Sequence, residues 1–185
     1  TVQVSLKTAV KDLSSKNPIL VDYSQIAEQD YLQDGYLFGS RPRKAGEYLL
    51  TENSDQPGLT LALHDAAASD SFWNGLESVS ESPTQMRDRL AKIPRSGRTL
   101  RTPTFSVEDG IVSVRVNGSG HVVACVDSHR LVAGPLHNET IQAISPKQNW
   151  GQMNLKRYIG HRIHLEFTPA ENAQLEVICV LQGND

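Results

Sequence analysis

The chain has 185 residues, 38% of them hydrophobic and 21% charged, and a net charge of −3. That length and balance suit one folded domain that buries roughly 70% of its unfolded surface and needs no metal or disulfide staple. They exclude a general electrostatic pull toward nucleic acid or an anionic membrane, and no apolar run is long enough to span a bilayer.

The chain opens Thr1-Val2-Gln3 with neither a methionine nor a signal-like segment, and it reads as a piece of a larger protein. Residues 1–20 read as a linker or N-terminal extension, and 1–185 as a single domain. In that opening stretch Val2, Val4 and Leu6 alternate like a strand, whereas Leu6, Val10 and Leu13 fit a helical face, so its structure stays open. Pro18 to Tyr23 reads as a first strand, Asp34-Gly35 as a turn and Tyr36-Leu37-Phe38 as a second short strand ended by Gly39. Ala45-Gly46 turns into Tyr48-Leu49-Leu50, and Leu59, Leu61 and Leu63 alternate with smaller residues as a half-buried strand does.

Residues 65–97 break the rhythm. Ser82-Pro83-Thr84 resembles a helix start, and Met86, Leu90 and Ile93 follow at helical spacing before Pro94 and Gly97. One short amphipathic helix is predicted over Thr84–Ile93.

From Arg98 to Phe167 short β-type runs alternate with turn signals at Glu108-Asp109-Gly110, Asn117 to Gly120 and Ala133-Gly134-Pro135. The spacing predicts an all-β fold, an antiparallel sandwich or barrel. Val112, Val114 and Val116 share a face, as do Val122, Ala124 and Val126. The opposite side of the latter run includes Val123 and Cys125, so that strand should be covered on both faces. Ile163, Leu165 and Phe167 should point in while Arg162, His164 and Glu166 point out. Leu175, Val177, Cys179 and Leu181 read as the inward set of the last strand.

Little here carries chemistry. Without C-x-x-C or C-x-x-C-H, a thiolate zinc site and covalent haem attachment are excluded, and Cys125 and Cys179 read first as small buried hydrophobes. Ser71 and Ser128 lack a Gly-x-Ser-x-Gly elbow, and no Gly-rich phosphate loop precedes a helix, so the chain reads as non-catalytic. His161 and His164 are three apart on a strand and so on opposite faces, unable to share an ion. Glu166 and Glu176 would form a carboxylate pair only by coincidence of folding. Asp127 and His129 share a face at a strand end, and with Arg130 and His137 they offer an acceptor and donors to a polar ligand. The rival reading is an ion pair and turn that fix the Ala133-Gly134-Pro135 loop. Trp73, Trp150 and Tyr158 are the rings suited to stacking on a sugar, with core packing as their rival fate.

Thr102-Pro103-Thr104-Phe105, Val126-Asp127-Ser128-His129-Arg130, Gly134-Pro135-Leu136-His137, then Trp150, Leu155, Tyr158 and Gly160 to Phe167 form a pattern. With Val21-Asp22-Tyr23, Asp34-Gly35 and Phe38-Gly39 it resembles a domain of large planctomycete proteins that also carry a c-type cytochrome domain and domains of unknown function. More broadly it is similar to galactose-binding-like jelly rolls. The resemblance implies two face-to-face antiparallel sheets in an extracytoplasmic protein whose haem sits in another domain, and a packing role for Trp150. It implies a carbohydrate-binding-like module, or else a structural module docked on other domains of the same polypeptide. No cofactor is expected in this chain. Structural calcium is common in similar jelly rolls, but the residues pick out no ligand set. In an oxidising compartment, Cys125 and Cys179 on neighbouring strands would form a disulfide.

Overall fold

The computed structural model describes residues 17–53, 56–73, 97–130 and 137–183. Among them the strands run β1 (Ile19–Asp22), β2 (Leu32–Gly35), β3 (Tyr48–Asn53), β4 (Gln56–Leu61), β5 (Ala67–Ala68), β6 (Arg98–Arg101) and β7 (Phe105–Ser106). They continue with β8 (Ile111–Gly118), β9 (Gly120–Val126), β10 (His129–Arg130), β11 (Ile141–Ile144), β12 (Trp150–Asn154), β13 (Arg162–Pro169) and β14 (Leu175–Gln182). The helix predicted over Thr84–Ile93 and the Ala133-Gly134-Pro135 turn lie outside the described residues.

All pairings are antiparallel. One sheet runs β1-β14-β8-β12, with β5 also on β14. A second runs β10-β9-β13-β6-β2, with β11 on β9 and β7 on β13. The β3–β4 hairpin forms a third. Val112, Val114, Val116, Val177 and Val180 of the first sheet meet Leu100, Val122, Ala124, Ile163, Leu165 and Phe167 of the second in one buried core. Each such side chain withdrawn from water contributes roughly 1.5–3 kcal/mol. The expected all-β sandwich is therefore the architecture. Alternating valines identify the core face of β8 and β9 because side chains alternate faces every residue. Val123 and Cys125, on the other face of β9, are buried too, so that strand is covered on both sides as expected.

The first strand read over Pro18–Tyr23 is β1, which pairs with β14 from Ile19. Two strand expectations need correcting. Leu32–Gly35 is the strand, paired with β6, and Tyr36–Phe38 is a turn closed by the Gly39 N–H on the Tyr36 carbonyl at 2.7 Å. The second concerns β14, whose register on β8 shifts between Val177 and Cys179, leaving Ile178 as an inserted residue. The bulge inverts the alternation. Leu175, Val177 and Val180 thus enter the central core, while Cys179 and Leu181 pack on the outer face with Ala66, Ile19 and Trp150.

The same inversion bears on the cysteines. Cys125 is on β9 and Cys179 on β14, strands of different sheets, and neither is in a disulfide. The first reading of both cysteines, as small buried hydrophobes, holds, and the conditional Cys125–Cys179 bridge does not form, because these positions lie on strands of different sheets.

Candidate functional site

The sandwich has two chemically distinct ends, separated by the eight-residue length of β13, about 24 Å.

At the Arg162 end, β9 turns into β10 through Asp127 and Ser128, whose φ angles of 48° and 66° make a two-residue hairpin of primed type. The Asp127 N–H donates to the Arg162 carbonyl at 2.7 Å. Its carboxylate accepts from His161 Nδ1 at 2.6 Å and from the Arg162 N–H at 3.2 Å. The His161 hydrogen bond, with help from the Arg162 N–H, holds the Asp127 carboxyl below its ordinary value. His129 Nδ1 donates to the Asp127 carbonyl at 2.8 Å.

Tyr158 lies alongside, with its ring edge-on to His161 at 6.3 Å. Its hydroxyl donates to Glu139 Oε1 at 2.9 Å, so its lone pairs must accept from His137, whose Nδ1 stands 2.8 Å away. Arg157 adds a 3.0 Å ion pair to the same Glu139 oxygen. Burial, then the Glu139 hydrogen bond, pushes the Tyr158 hydroxyl up to about 12. For Glu139, desolvation is opposed and outweighed by hydrogen bonds from its own backbone and Tyr158 and by the Arg157 charge, and its carboxyl is lowered.

Asp127, His129, His137 and Tyr158 therefore gather at one end, as a site there requires, and β10 brings the Arg130 backbone beside them. Within the cluster the Asp127 carboxylate is bound by His161 and the Tyr158 hydroxyl by Glu139 and His137. The arrangement is a strut that ties the hairpin tip to the start of β13.

Trp73 and Trp150 are elsewhere. Trp150 sits on the outer face of the first sheet, packed with Cys179 and Leu181 and capped by the Arg115 guanidinium 5.8 Å from its ring centre. The packing role implied for it is the one observed. Trp73 belongs to the opposite end of the sandwich, so it cannot complete a stacking site with Asp127, His129 and His137. His161 and His164 do not share a site: His161 reaches Asp127, and His164 lies on the outer face of β13 beside Cys125. Glu166 and Glu176 fall in different sheets.

At the far end, beyond Pro169, a cleft of about 560 Å³ opens between the β3–β4 hairpin and the loop Glu171–Gln174, with Arg98 at the start of β6 on its wall. Ser69, Ser71, Thr51 and Thr60 add hydroxyls, and Leu37, Leu50 and Leu59 add apolar surface. The size is within the roughly 300–1,000 Å³ of small-molecule sites.

The wall is held by Asp70. Its Oδ1 accepts from the Leu50 N–H at 3.1 Å and the Phe72 N–H at 3.0 Å, and its Oδ2 pairs with Arg43 at 2.9 Å. Segments flanking the lining residues carry an aromatic group. Phe72 meets Trp73 edge-on at 5.0 Å, Tyr36 lies 6.4 Å from Trp73, and Tyr36 and Phe72 are mostly exposed.

Arg98 Nε and Gln174 Nε2, on cleft-lining residues, and the neighbouring Trp73 Nε1 are buried nitrogens without a hydrogen-bond partner among the described residues, as are Gln33 Oε1, Arg43 Nε and Gln142 Oε1, on residues that do not line the cleft. Buried polar atoms are nearly always paired in folded proteins, so two such donors on one cleft's lining call for an explanation. Sequence reading named Trp73 but joined it to Asp127, Arg130 and His137 at the other end, and it missed Arg98 and Gln174, because nothing near either residue in sequence signals the loop it meets.

Comparison with protein-family models, with curated proteins and with solved structures gave no match to this chain.

Proposed function

We propose that this chain is a non-catalytic β-sandwich module that binds carbohydrate in the Arg98–Gln174 cleft, within a larger extracytoplasmic protein. The observation that carries this reading is the pair of buried donors on cleft-lining residues that find no acceptor among the described residues. A sugar ring supplies several hydroxyl acceptors at close spacing, and the four Ser and Thr hydroxyls of the wall can donate or accept in return. Phe72 and Tyr36 offer exposed ring faces beside the opening, where the apolar face of a pyranose can stack. The Glu171 carboxylate accepts from sugar hydroxyls.

Glycan-array screening followed by calorimetry tests the reading. A bound oligosaccharide with a dissociation constant in the roughly micromolar-to-millimolar range is expected. Arg98→Ala and Phe72→Ala should each weaken it about tenfold or more while leaving the fold intact. Failure of every oligosaccharide to bind would reject it.

One observation favours a second reading, a docking module. Tyr48 and Leu61 are directly paired on β3 and β4 and are 71% and 47% exposed, with Leu59 and Leu63 exposed nearby. An apolar row of this kind suits contact with another domain of the parent protein. Replacing Tyr48 and Leu61 by Ser leaves a sugar-binding module unaffected and releases a docked one.

A further inference from the structure

We propose that Cys125, His164 and Glu166 form a binding site for a borderline-soft divalent cation of the zinc class, held shut by Arg101 when no ion is bound. The three residues lie on the outer face of the second sheet, and none of them lines the cleft. Cys125 is paired directly across from His164, and Glu166 follows His164 by two, so all three side chains share one face. They are buried to 1%, 6% and 2% exposure, and their potential ligand atoms all lie within 4.8 Å of one another.

Tetrahedral zinc with ordinary bond lengths sets its ligand atoms about 3.3–3.6 Å apart. His164 Nε2 and Glu166 Oε1 already stand at 3.5 Å. The remaining separations, at most 4.8 Å, lie within reach of side-chain rotation. One thiolate, one imidazole and one carboxylate favour zinc or cobalt over calcium or magnesium, which prefer all-oxygen shells. Three protein ligands also leave a fourth position for water or a small anion. The exclusion of a thiolate zinc site from the missing C-x-x-C is therefore too broad: it rules out a two-thiolate chelate close in sequence, not a site assembled across strands.

The ion-free arrangement supports the same reading. Arg101 Nη2 donates to His164 Nε2 at 3.0 Å, and Arg101 Nε lies 3.8 Å from Glu166 Oε1. A ring nitrogen that accepts from the guanidinium presents there the lone pair a metal would take. The guanidinium supplies the positive charge that a buried carboxylate requires. Its side chain is 44% exposed and comes from the neighbouring strand, so it can turn out to solvent without disturbing the sheet. Burial, together with the Glu166 carboxylate that accepts its hydrogen, keeps the Cys125 thiol protonated. Binding thus breaks the S–H bond, forms a metal–sulfur bond and releases one proton to solvent, so affinity rises with pH.

Cobalt titration of the whole chain tests the site, with Co²⁺ as the probe and Zn²⁺ as competitor. One equivalent should bind with an intense near-ultraviolet thiolate-to-cobalt band that Zn²⁺ removes. Cys125→Ser should abolish the band and Cys179→Ser should keep it. Arg101→Gln should bind about tenfold tighter or better, the scale on which residues around a metal tune affinity. Its thermal midpoint should also rise more with Zn²⁺ than the wild type's, because the ion replaces the lost charge. Should Cys125→Ser fail to fold, calorimetry of the wild type in two buffers of different ionisation enthalpy gives an independent readout: one proton released per ion supports the site, and none overturns it. No thiolate band in either wild type or Arg101→Gln, or a band that survives Cys125→Ser, also overturns it.

Discussion

Val177 and Cys179, two residues apart on β14, face opposite sides of the sheet: Val177 lies in the central core and Cys179 against Ala66 and Trp150 outside it. The inserted Ile178 is the cause, and it places Val180 opposite Val114, both pointing inward. Val180→Thr puts a hydroxyl of nearly the same size into a dry core, and the change should cost about 1–3 kcal/mol. Strict alternation would instead leave Val180 on the outer side. Urea denaturation decides between them, since an unchanged midpoint means Val180 does not face the core.

Asp70 joins three pieces of chain that meet at the cleft: β3 through Leu50, the turn through Phe72, and Arg43. Arg43 is also 3.8 Å from Glu47, a longer and more exposed contact that compensates only in part. Asp70→Ala removes a nearly buried partner and leaves two backbone donors without their acceptor, and the loss should be about 3 kcal/mol. Asp70→Asn keeps one oxygen for the N–H groups and should recover part of that stability. Equal denaturation midpoints for wild type and Asp70→Ala would show that the wall does not depend on this carboxylate.

The sandwich was legible wherever side chains alternate without interruption. Ile163, Leu165 and Phe167 point inward because period-two patterning maps directly onto the two faces of a strand. The bulge at Ile178 was hidden, since an apolar run on both faces reads the same in either register. Tyr36-Leu37-Phe38 misled because a short apolar run looks like a strand, whereas its hydrogen bonding closes a turn and β2 lies just before it. Proximity in sequence correctly grouped Asp127 with His129, and proximity alone cannot reveal that the Asp127 carboxylate is already bound by His161. The cleft was illegible for a different reason. Thr51, Ser71, Arg98 and Gln174 come from separate segments, and each is an ordinary polar residue until the fold brings them together. Cys125, His164 and Glu166 likewise become a cluster only when β9 and β13 pair.

Gly118 controls the loop that lines the cleft. Its φ of 111° lies in the region side chains avoid, and a Cβ there would fall on the Gln174 carbonyl oxygen. That carbonyl accepts from the Ser119 N–H at 3.0 Å, so the close approach is part of the β8–β9 turn. Gly118→Ala should cost about 2 kcal/mol or more and displace Gln174, weakening any cleft ligand as well as the fold. Denaturation and calorimetry on the same variant report the two effects. Full stability and affinity would show that the loop relaxes around the added methyl.

The last prediction concerns acid stability at the other end. The His161 hydrogen bond is the main reason the Asp127 carboxyl ionises below its ordinary value. A carboxyl depressed in the folded state stabilises the fold at pH values above its unfolded pKa, and the contribution disappears as pH falls through the lower, folded value. His161→Ala should therefore move the Asp127 titration upward toward the ordinary aspartate value, with the Arg162 N–H retaining part of the depression. The variant should lose the contribution at a higher pH than the wild type, so its acid-unfolding midpoint shifts up. Because Asp127 is exposed, the shift should be small and should shrink further with added salt. Carboxyl NMR titration of both proteins measures the effect at its source. Identical Asp127 midpoints would mean that the Arg162 N–H, and not the imidazole, sets its acidity.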